Sequence, residues 1–273
     1  MIRLVCIFVG LIFFSQASAQ RLPEWELGLA LGYAKLPYYR GAASGRDILL
    51  PLPLAIYRGK KYSVDDDGGH RWLFRSKRVT LDLSLAAGLP VPESGKAAAR
   101  EGMPGLDATL ELGPRLNIQL WKYKRHQIST VFPLRLTTSV SFSRIAYRGW
   151  MFSPYLLYVY EDKGRNGWEF DILAGPLYAS EKYHDYFYSV DQEYVNENRT
   201  FFQAKQGDSG SRVTVYVQKS YKRLWMSVFA RYDVLTDAAF ERSPLIEKNN
   251  YVFGGFVIGW MFKKSPVMVY VGD

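Results

Sequence analysis

Hydrophobic and polar positions alternate along most of this chain. In residues 107–121, Ala108, Leu110, Leu112, Leu116, Ile118 and Leu120 share one face, while Asp107, Thr109, Glu111, Arg115, Asn117 and Gln119 share the other. Residues 79–87 set Val79, Leu81, Leu83, Leu85 and Ala87 against Thr80, Asp82, Ser84 and Ala86. Trp25, Leu27, Leu29, Leu31 and Tyr33 alternate with Glu24, Glu26, Gly28, Ala30 and Gly32, and Val213, Val215 and Val217 alternate with Arg212, Thr214, Tyr216 and Gln218. A period of two is the mark of a strand with two unlike faces. It predicts about twelve strands, at 24–34, 46–57, 60–64, 70–75, 79–88, 107–121, 126–139, 149–162, 167–179, 211–221, 223–235 and 250–262.

A soluble sandwich also alternates, so other features have to decide the class. Most of these strands run ten residues or more. Their polar faces carry mid-strand charges (Asp82, Glu111, Arg115, Arg135, Asp171, Arg231, Asp233), and aromatics gather near strand ends. Such strands suit an antiparallel transmembrane β-barrel with a wet lumen. The connections sort the same way. With both termini on the periplasmic side, the long ones (35–45, 89–106, 140–148, 180–210, 236–249) fall outside and the short ones (near 58–60, 76–78, 122–125, 163–166 and 222) fall inside. The parity holds only if residues 60–75 form two strands, both too short to span.

The N-terminus adds an export signal. Arg3 precedes an apolar run from Leu4 to Phe14, and Ala17-Ser18-Ala19 forms a small-x-small cleavage site before Gln20. The run is too short for a membrane anchor. Residues 1–19 are therefore expected to be a cleaved signal peptide and residues 20–273 the barrel domain. Cys6, the only cysteine, lies within the signal, which excludes disulfides and thiol chemistry from the mature chain. The formal charge is +9, or +8 without Arg3, and 20 tyrosines and 7 tryptophans supply side chains that favour membrane interfaces. The last strand ends in Phe256, Ile258, Trp260 and Phe262 on one face, like the assembly signal of outer-membrane proteins, and eleven residues follow it.

Three strings carry a more specific likeness: LPYYRGAASGRDILLPLPLAIYRG at 36–59, YHDYFYSV at 183–190 and DAAFERSPLI at 237–246. With the Gly-rich aromatic last strand, they resemble the MipA/OmpV family over essentially the whole mature chain. The resemblance implies a Gram-negative outer-membrane barrel. It also implies a scaffold role, since the name-giving member links a lytic murein transglycosylase to a bifunctional murein synthase, whereas other members are linked to adhesion or permeability.

Candidate chemistry is sparse. The histidines are His70, His126 and His184. His184 lies beside Asp185 and near Ser180 and Ser189, the ingredients of a triad, although a polar loop histidine among tyrosines reads more simply as structural. His70 follows Asp65-Asp66-Asp67, whose oxygens suit a hard divalent cation, although a solvated acidic loop is the simpler reading. His126 follows Lys124 and Arg125 at a short turn and reads as interfacial. No P-loop, zinc spacing or nucleotide fingerprint is present, and neither a cofactor, a metal nor a nucleic-acid partner is expected.

Charge asymmetry is the one feature that suggests a mechanism. The short connections and their flanks collect Arg58, Lys60, Lys61, Arg75, Lys77, Arg78, Lys122, Lys124, Arg125, Lys163, Arg165, Lys219, Lys222, Arg223, Lys263 and Lys264, with only Glu161 and Asp162 as acids. The long loops hold 11 basic and 14 acidic residues, a net charge of −3. Basic side chains at this rim can snorkel to anionic headgroups of outer-membrane lipids. They can also form a docking ring for an anionic periplasmic partner, and both uses can coexist. The chain thus reads as a non-enzymatic outer-membrane scaffold whose basic inner rim engages murein-remodelling enzymes or murein. The candidate partner-binding residues are Arg58, Lys60, Lys61, Arg75, Lys77, Arg78, Lys122, Lys124, Arg125, Lys219, Lys222 and Arg223. The rival is a small-solute channel or adhesin that works through the lumen or the 180–210 loop, where Tyr183, Tyr186, Phe187, Tyr188, Tyr194, Phe201 and Phe202 offer aromatic surface. A lipid-modifying enzyme has the least support.

Overall fold

The computed structural model describes residues 20–58, 62–65, 68–93, 97–162 and 167–271. The expected signal peptide lies outside them. Antiparallel strands run in chain order: β1 (Gln20–Pro23), β2 (Trp25–Pro37), β3 (Gly45–Arg58), β4 (Tyr62–Asp65), β5 (Gly68–Arg75), β6 (Val79–Gly88), β7 (Ala108–Tyr123), β8 (His126–Val140), β9 (Ile145–Phe152), β10 (Tyr155–Glu161), β11 (Trp168–Ala179), β12 (Gly207–Tyr221), β13 (Leu224–Val234), β14 (Asn250–Lys264) and β15 (Met268–Val271). Among the described residues one α-helix, α1 (Glu181–Tyr188), sits between β11 and β12. No helix among the described residues is long and apolar enough to cross a membrane.

Neighbouring strands pair from β2 round to β14, and β14 pairs back onto β2. β9 and β10 both lie between β8 and β11, β10 toward one end and β9 toward the other. They are two halves of one strand, so the circuit has twelve positions and closes. Closure removes the unpaired edges that a bilayer does not tolerate.

The break in that strand has a local cause. Ser153-Pro154 separates β9 from β10, while Pro133 on β8 and the Gly175-Pro176 pair on β11 lie at the same level. Prolines have no N–H to give to a ladder, and three neighbouring strands carry one here. Gly175 allows the Pro154 backbone to approach closely at this point, because a Cβ there would collide with the Pro154 carbonyl oxygen.

The two faces are inverted relative to a water-soluble protein. Leu29, Leu31, Leu49, Leu112, Leu136, Ile172, Val228, Ile258 and Trp260 are exposed on the outer wall. Asp82, Ser84, Arg115, Asn117, Ser129, Thr137, Asp171, Thr214 and Asp233 are buried within. The alternation seen in the sequence is therefore lipid against lumen. Apolar groups also enter the lumen, where Val131, Leu157, Val159, Leu173, Tyr216 and Phe229 form one cluster.

The two short strands expected within 60–75 are present as β4 and β5, four and eight residues long. Among the described residues, β3 pairs with β4 only at Tyr57 and Arg58, so the wall is low on this side. Beyond the expected set, β1 pairs with β15 from Gln20↔Val271 to Pro23↔Met268 and ties the segment before β2 to the segment after β14 at the mouth that carries the short turns.

The mouth that carries the long loops, expected to be the outer one, holds a second core. Loop residues Tyr39, Ala42, Val91, Met103, Leu106, Tyr188, Val190, Leu235, Phe240 and Leu245 are buried against one another, although their loops are far apart in sequence. Tyr188 and Phe240 stack with ring centroids 3.7 Å apart and planes 6° apart. Arginines staple the loops through carbonyl oxygens. Arg100 donates to Phe187 and Pro104, and Arg199 donates to Tyr194, Ala99 and Glu101.

Candidate functional site: the basic inner rim

Hairpin geometry gathers the candidate residues at one mouth. Arg75, Lys77 and Arg78 occupy the β5–β6 turn, Lys122, Lys124 and Arg125 the β7–β8 turn, and Lys219, Lys222 and Arg223 the β12–β13 turn, with Lys263 and Lys264 at the end of β14. All are exposed except Lys219, which is half-buried. Arg58 ends β3 at the same mouth. Lys60, Lys61, Lys163 and Arg165 lie outside the described residues.

Two of these turns bear a conformational cost. Lys124-Arg125 and Lys222-Arg223 are two-residue hairpin loops, closed by Tyr123↔His126 and Tyr221↔Leu224. Lys124 has φ +52° and Lys222 has φ +56°, values that favour glycine. An L-residue in this region costs roughly 1–2 kcal/mol. Both turns thus place a long cation where glycine would be the unstrained choice.

The rim also meets an aromatic girdle. Trp121, Tyr123, Trp168, Tyr221, Trp260 and Phe262 are exposed near this end. Lys219 Nζ lies 4.7 Å from the Trp168 ring centre, Lys124 Nζ 5.1 Å from Tyr123 and Lys222 Nζ 5.2 Å from Tyr221. Arg125 makes a partly exposed ion pair with Asp162 at 3.2 Å, an arrangement of small net strength in water. His126 belongs to the same girdle, with Nδ1 2.8 Å from the Tyr158 hydroxyl.

The family model for the MltA-interacting protein MipA matches residues 27–262, which run from β2 through β14, one complete circuit of the barrel. The chain belongs to the MipA family. It is a β-barrel of the Gram-negative outer membrane. No curated protein sequence matches it. Among solved structures it is similar to a bacterial polysaccharide outer membrane secretin (9% identity over 88% of this chain and 98% of that one, TM-score 0.41). It is also similar to the CymD monoaromatic hydrocarbon channel (11%, 88% and 89%, TM-score 0.35) and to the outer membrane protease OmpT from Escherichia coli (9%, 91% and 100%, TM-score 0.30).

In this MipA-family barrel the triad considered for His184 does not assemble. Ser180 Oγ caps α1, accepting from Tyr183 N and also from Trp150 N, and Ser189 Oγ accepts from Ala204 N. His184 is fully buried. Its Nδ1 lies 2.6 Å from the Lys205 carbonyl oxygen and its Nε2 bonds Ser209 Oγ. Burial is the main cause that pulls its pKa below the ordinary 6.5, and nearby Arg40 adds to it. A neutral ring fits both contacts, with Nδ1–H donating to the carbonyl and Nε2 accepting from the serine. The described residues hold no group of acids and histidines that could bind a metal. Asp66 and Asp67 of the acidic run lie outside them.

The rival adhesin reading needs the loop aromatics as a contact surface. Tyr183 and Tyr188 are instead buried, and Tyr186, Phe187, Tyr194 and Phe202 pack against the lid core, whereas Phe201 remains exposed. Their spacing gave no sign of this, because the partners come from other loops. The outer bases divide likewise. Arg40, Arg100, Arg148 and Arg199 turn inward, with Arg148 donating to Ser139 Oγ at 2.9 Å and lying 4.2 Å from the Tyr186 ring centre.

Proposed function

We propose that this barrel is a non-enzymatic scaffold whose inner rim docks a murein-remodelling enzyme, with a lytic transglycosylase of the MltA type as the first partner and murein itself or a murein synthase as further ones. One observation carries the reading. Exposed cations from separate hairpins meet at the inner mouth, whereas the outer loops are folded into a packed lid. The long loops turn Arg40, Arg100, Arg148 and Arg199 inward and set their exposed bases, Arg144, Lys182, Lys205, Arg242 and Lys248, among acids, so the concentrated positive face is the one expected toward the periplasm. The partner class comes from the family's own description as MltA-interacting.

A lipid role for part of the rim has its own support. Lys124, Lys219 and Lys222 lie over girdle aromatics, where an ammonium group can reach the headgroups of outer-membrane lipids. These lysines help to set the depth of the barrel and still add to the positive field of the rim, and the turn-tip arginines and Lys77 reach furthest toward a periplasmic partner. The channel reading has less support, since the lid core crosses the outer mouth.

Site-specific photocrosslinking tests the proposal. A crosslinker at Lys77 or Arg78 should capture a lytic transglycosylase in intact envelopes, and one at the outer-turn Arg144 should not. Equal capture from both faces, or capture of lipid alone at Lys77 and Arg78, would reject it.

A further inference from the structure

A cavity of about 60 Å³ lies inside the barrel beside the strand break at Ser153-Pro154. Arg135, Arg212 and Arg231 line it, together with Thr214, Tyr155 and Tyr216. Three half-buried guanidinium groups converge on this partly open space, and cations drawn even partly out of water favour countercharge.

The protein supplies little of it. Asp233 is the carboxylate next to this group, and it is already engaged by two guanidiniums: Arg40 through Nε (3.0 Å) and Nη2 (2.9 Å), and Arg212 through Nε (3.2 Å). Arg135 gives its Nε to a neutral partner, Ser84 Oγ, at 3.0 Å. Arg231 makes no ion pair among the described residues. Its Nε is buried without a hydrogen-bond acceptor, and its guanidinium lies 5.2 Å from the Phe253 ring centre. Asp171, the next acid on this part of the wall, has no hydrogen-bond partner either and does not line the cavity.

Arg40, Arg135, Arg212 and Arg231 outnumber the lumenal carboxylates Asp233 and Glu111 around them, so positive charge exceeds negative charge at a small, partly polar space. The guanidinium fork matches the oxygens of phosphate, sulfate or carboxylate. The volume equals roughly four to six waters, taking one water as about 10–15 Å³ on this measure. That accommodates a small free oxyanion, and not a phospholipid with its chains. The geometry points to a lumenal oxyanion site in which Arg135, Arg212 and Arg231 hold a phosphate- or sulfate-sized ion. Its place, inside the wall and away from the turn tips, makes it independent of docking at the rim.

The test is thermal melting of the purified mature protein in detergent against sodium phosphate and sodium sulfate, with sodium chloride at matched ionic strength. A saturable rise in melting temperature is expected with phosphate or sulfate and not with chloride. Arg231→Gln should weaken the apparent affinity at least tenfold, and Arg144→Gln, at an outer turn, should leave it unchanged. Gel heat-modifiability reports whether each variant is folded. If Arg231→Gln fails to fold, Arg135→Gln faces the same criterion. Wild-type protein that shows no saturable shift beyond chloride would overturn the site. So would a folded Arg231 or Arg135 variant that binds as wild type does.

Discussion

Asp82 and Arg115 face each other across adjacent strands and make a two-pronged ion pair inside the barrel, with Nε–Oδ1 at 3.0 Å and Nη2–Oδ2 at 3.1 Å. Both are almost fully buried. The ion pairs between wall residues join neighbouring strands, whereas Arg40 reaches Asp233 from a loop. Asp82 meets Arg115 on the next strand, and Arg212 meets Asp233 in the same way. Neighbouring strands hold side chains about 5 Å apart, a much shorter reach than the bore.

The first prediction follows from that pair. Asp82→Asn leaves Arg115 without its countercharge and should destabilise the barrel by about 3–5 kcal/mol. Adding Arg115→Gln should recover a good part of the loss, since no buried charge is then stranded. Urea unfolding of refolded protein, followed by heat-modifiability, measures both. Additive losses would show that the two residues do not act as a pair.

A second prediction concerns the close backbone approach at the strand break. Gly175→Ala should cost about 1–3 kcal/mol, because its Cβ meets backbone that cannot move aside cheaply. The same change at Gly102, where nothing lies within 4 Å, tests left-handed backbone strain alone at φ +77°. Melting curves of the two variants separate collision from strain.

The sequence disclosed the barrel because lipid and lumen impose a period of two that needs no alignment to see. Even the short pair at 60–75 was recoverable, since parity of the turns required it. The lid was not legible. Tyr188 stacks on Phe240 and Arg40 reaches Asp233, 193 residues away, through loops with no periodicity to betray them. The candidate rim residues were legible as a group because hairpins alternate ends. The strained backbone at Lys124 and Lys222 was not, since a two-residue hairpin demands a positive φ but neither loop carries the glycine or asparagine that would mark it in the sequence.

The lid should be sensitive to pH. His184 is held neutral when folded, with its pKa below 6.5. As pH falls below 6.5, an opened lid takes up a proton that the closed lid refuses, so closure weakens and the loss levels off below the folded pKa. Hydrogen exchange over residues 181–206 should be faster at pH 5.5 than at pH 7.5 after correction for intrinsic rates. His184→Gln should remove most of the difference. An unchanged difference in that variant would assign the effect to other groups.

The strained turns make stability and docking separable. Lys124→Gly and Lys222→Gly relieve a left-handed residue and should each stabilise the barrel by up to about 1 kcal/mol. Both remove a rim cation, so partner binding should fall while melting temperature rises. Paired melting and binding measurements on the same preparations check the opposite signs.

Docking at the rim is tested most directly by the affinity of the purified barrel for an MltA-type transglycosylase, measured at two salt concentrations. The variants are Lys122→Gln/Lys124→Gln/Arg125→Gln at the rim and Arg144→Gln/Arg242→Gln/Lys248→Gln on exposed outer loops. Single exposed contacts contribute about 1 kcal/mol or less, so the rim triple should lose roughly tenfold in affinity. Wild-type binding should weaken as salt shortens the screening length to about 8 Å at physiological ionic strength. The outer triple should bind as wild type does. Undiminished binding by the rim triple, or equal loss in both triples, would leave the basic rim as a lipid-headgroup anchor and remove its role in docking.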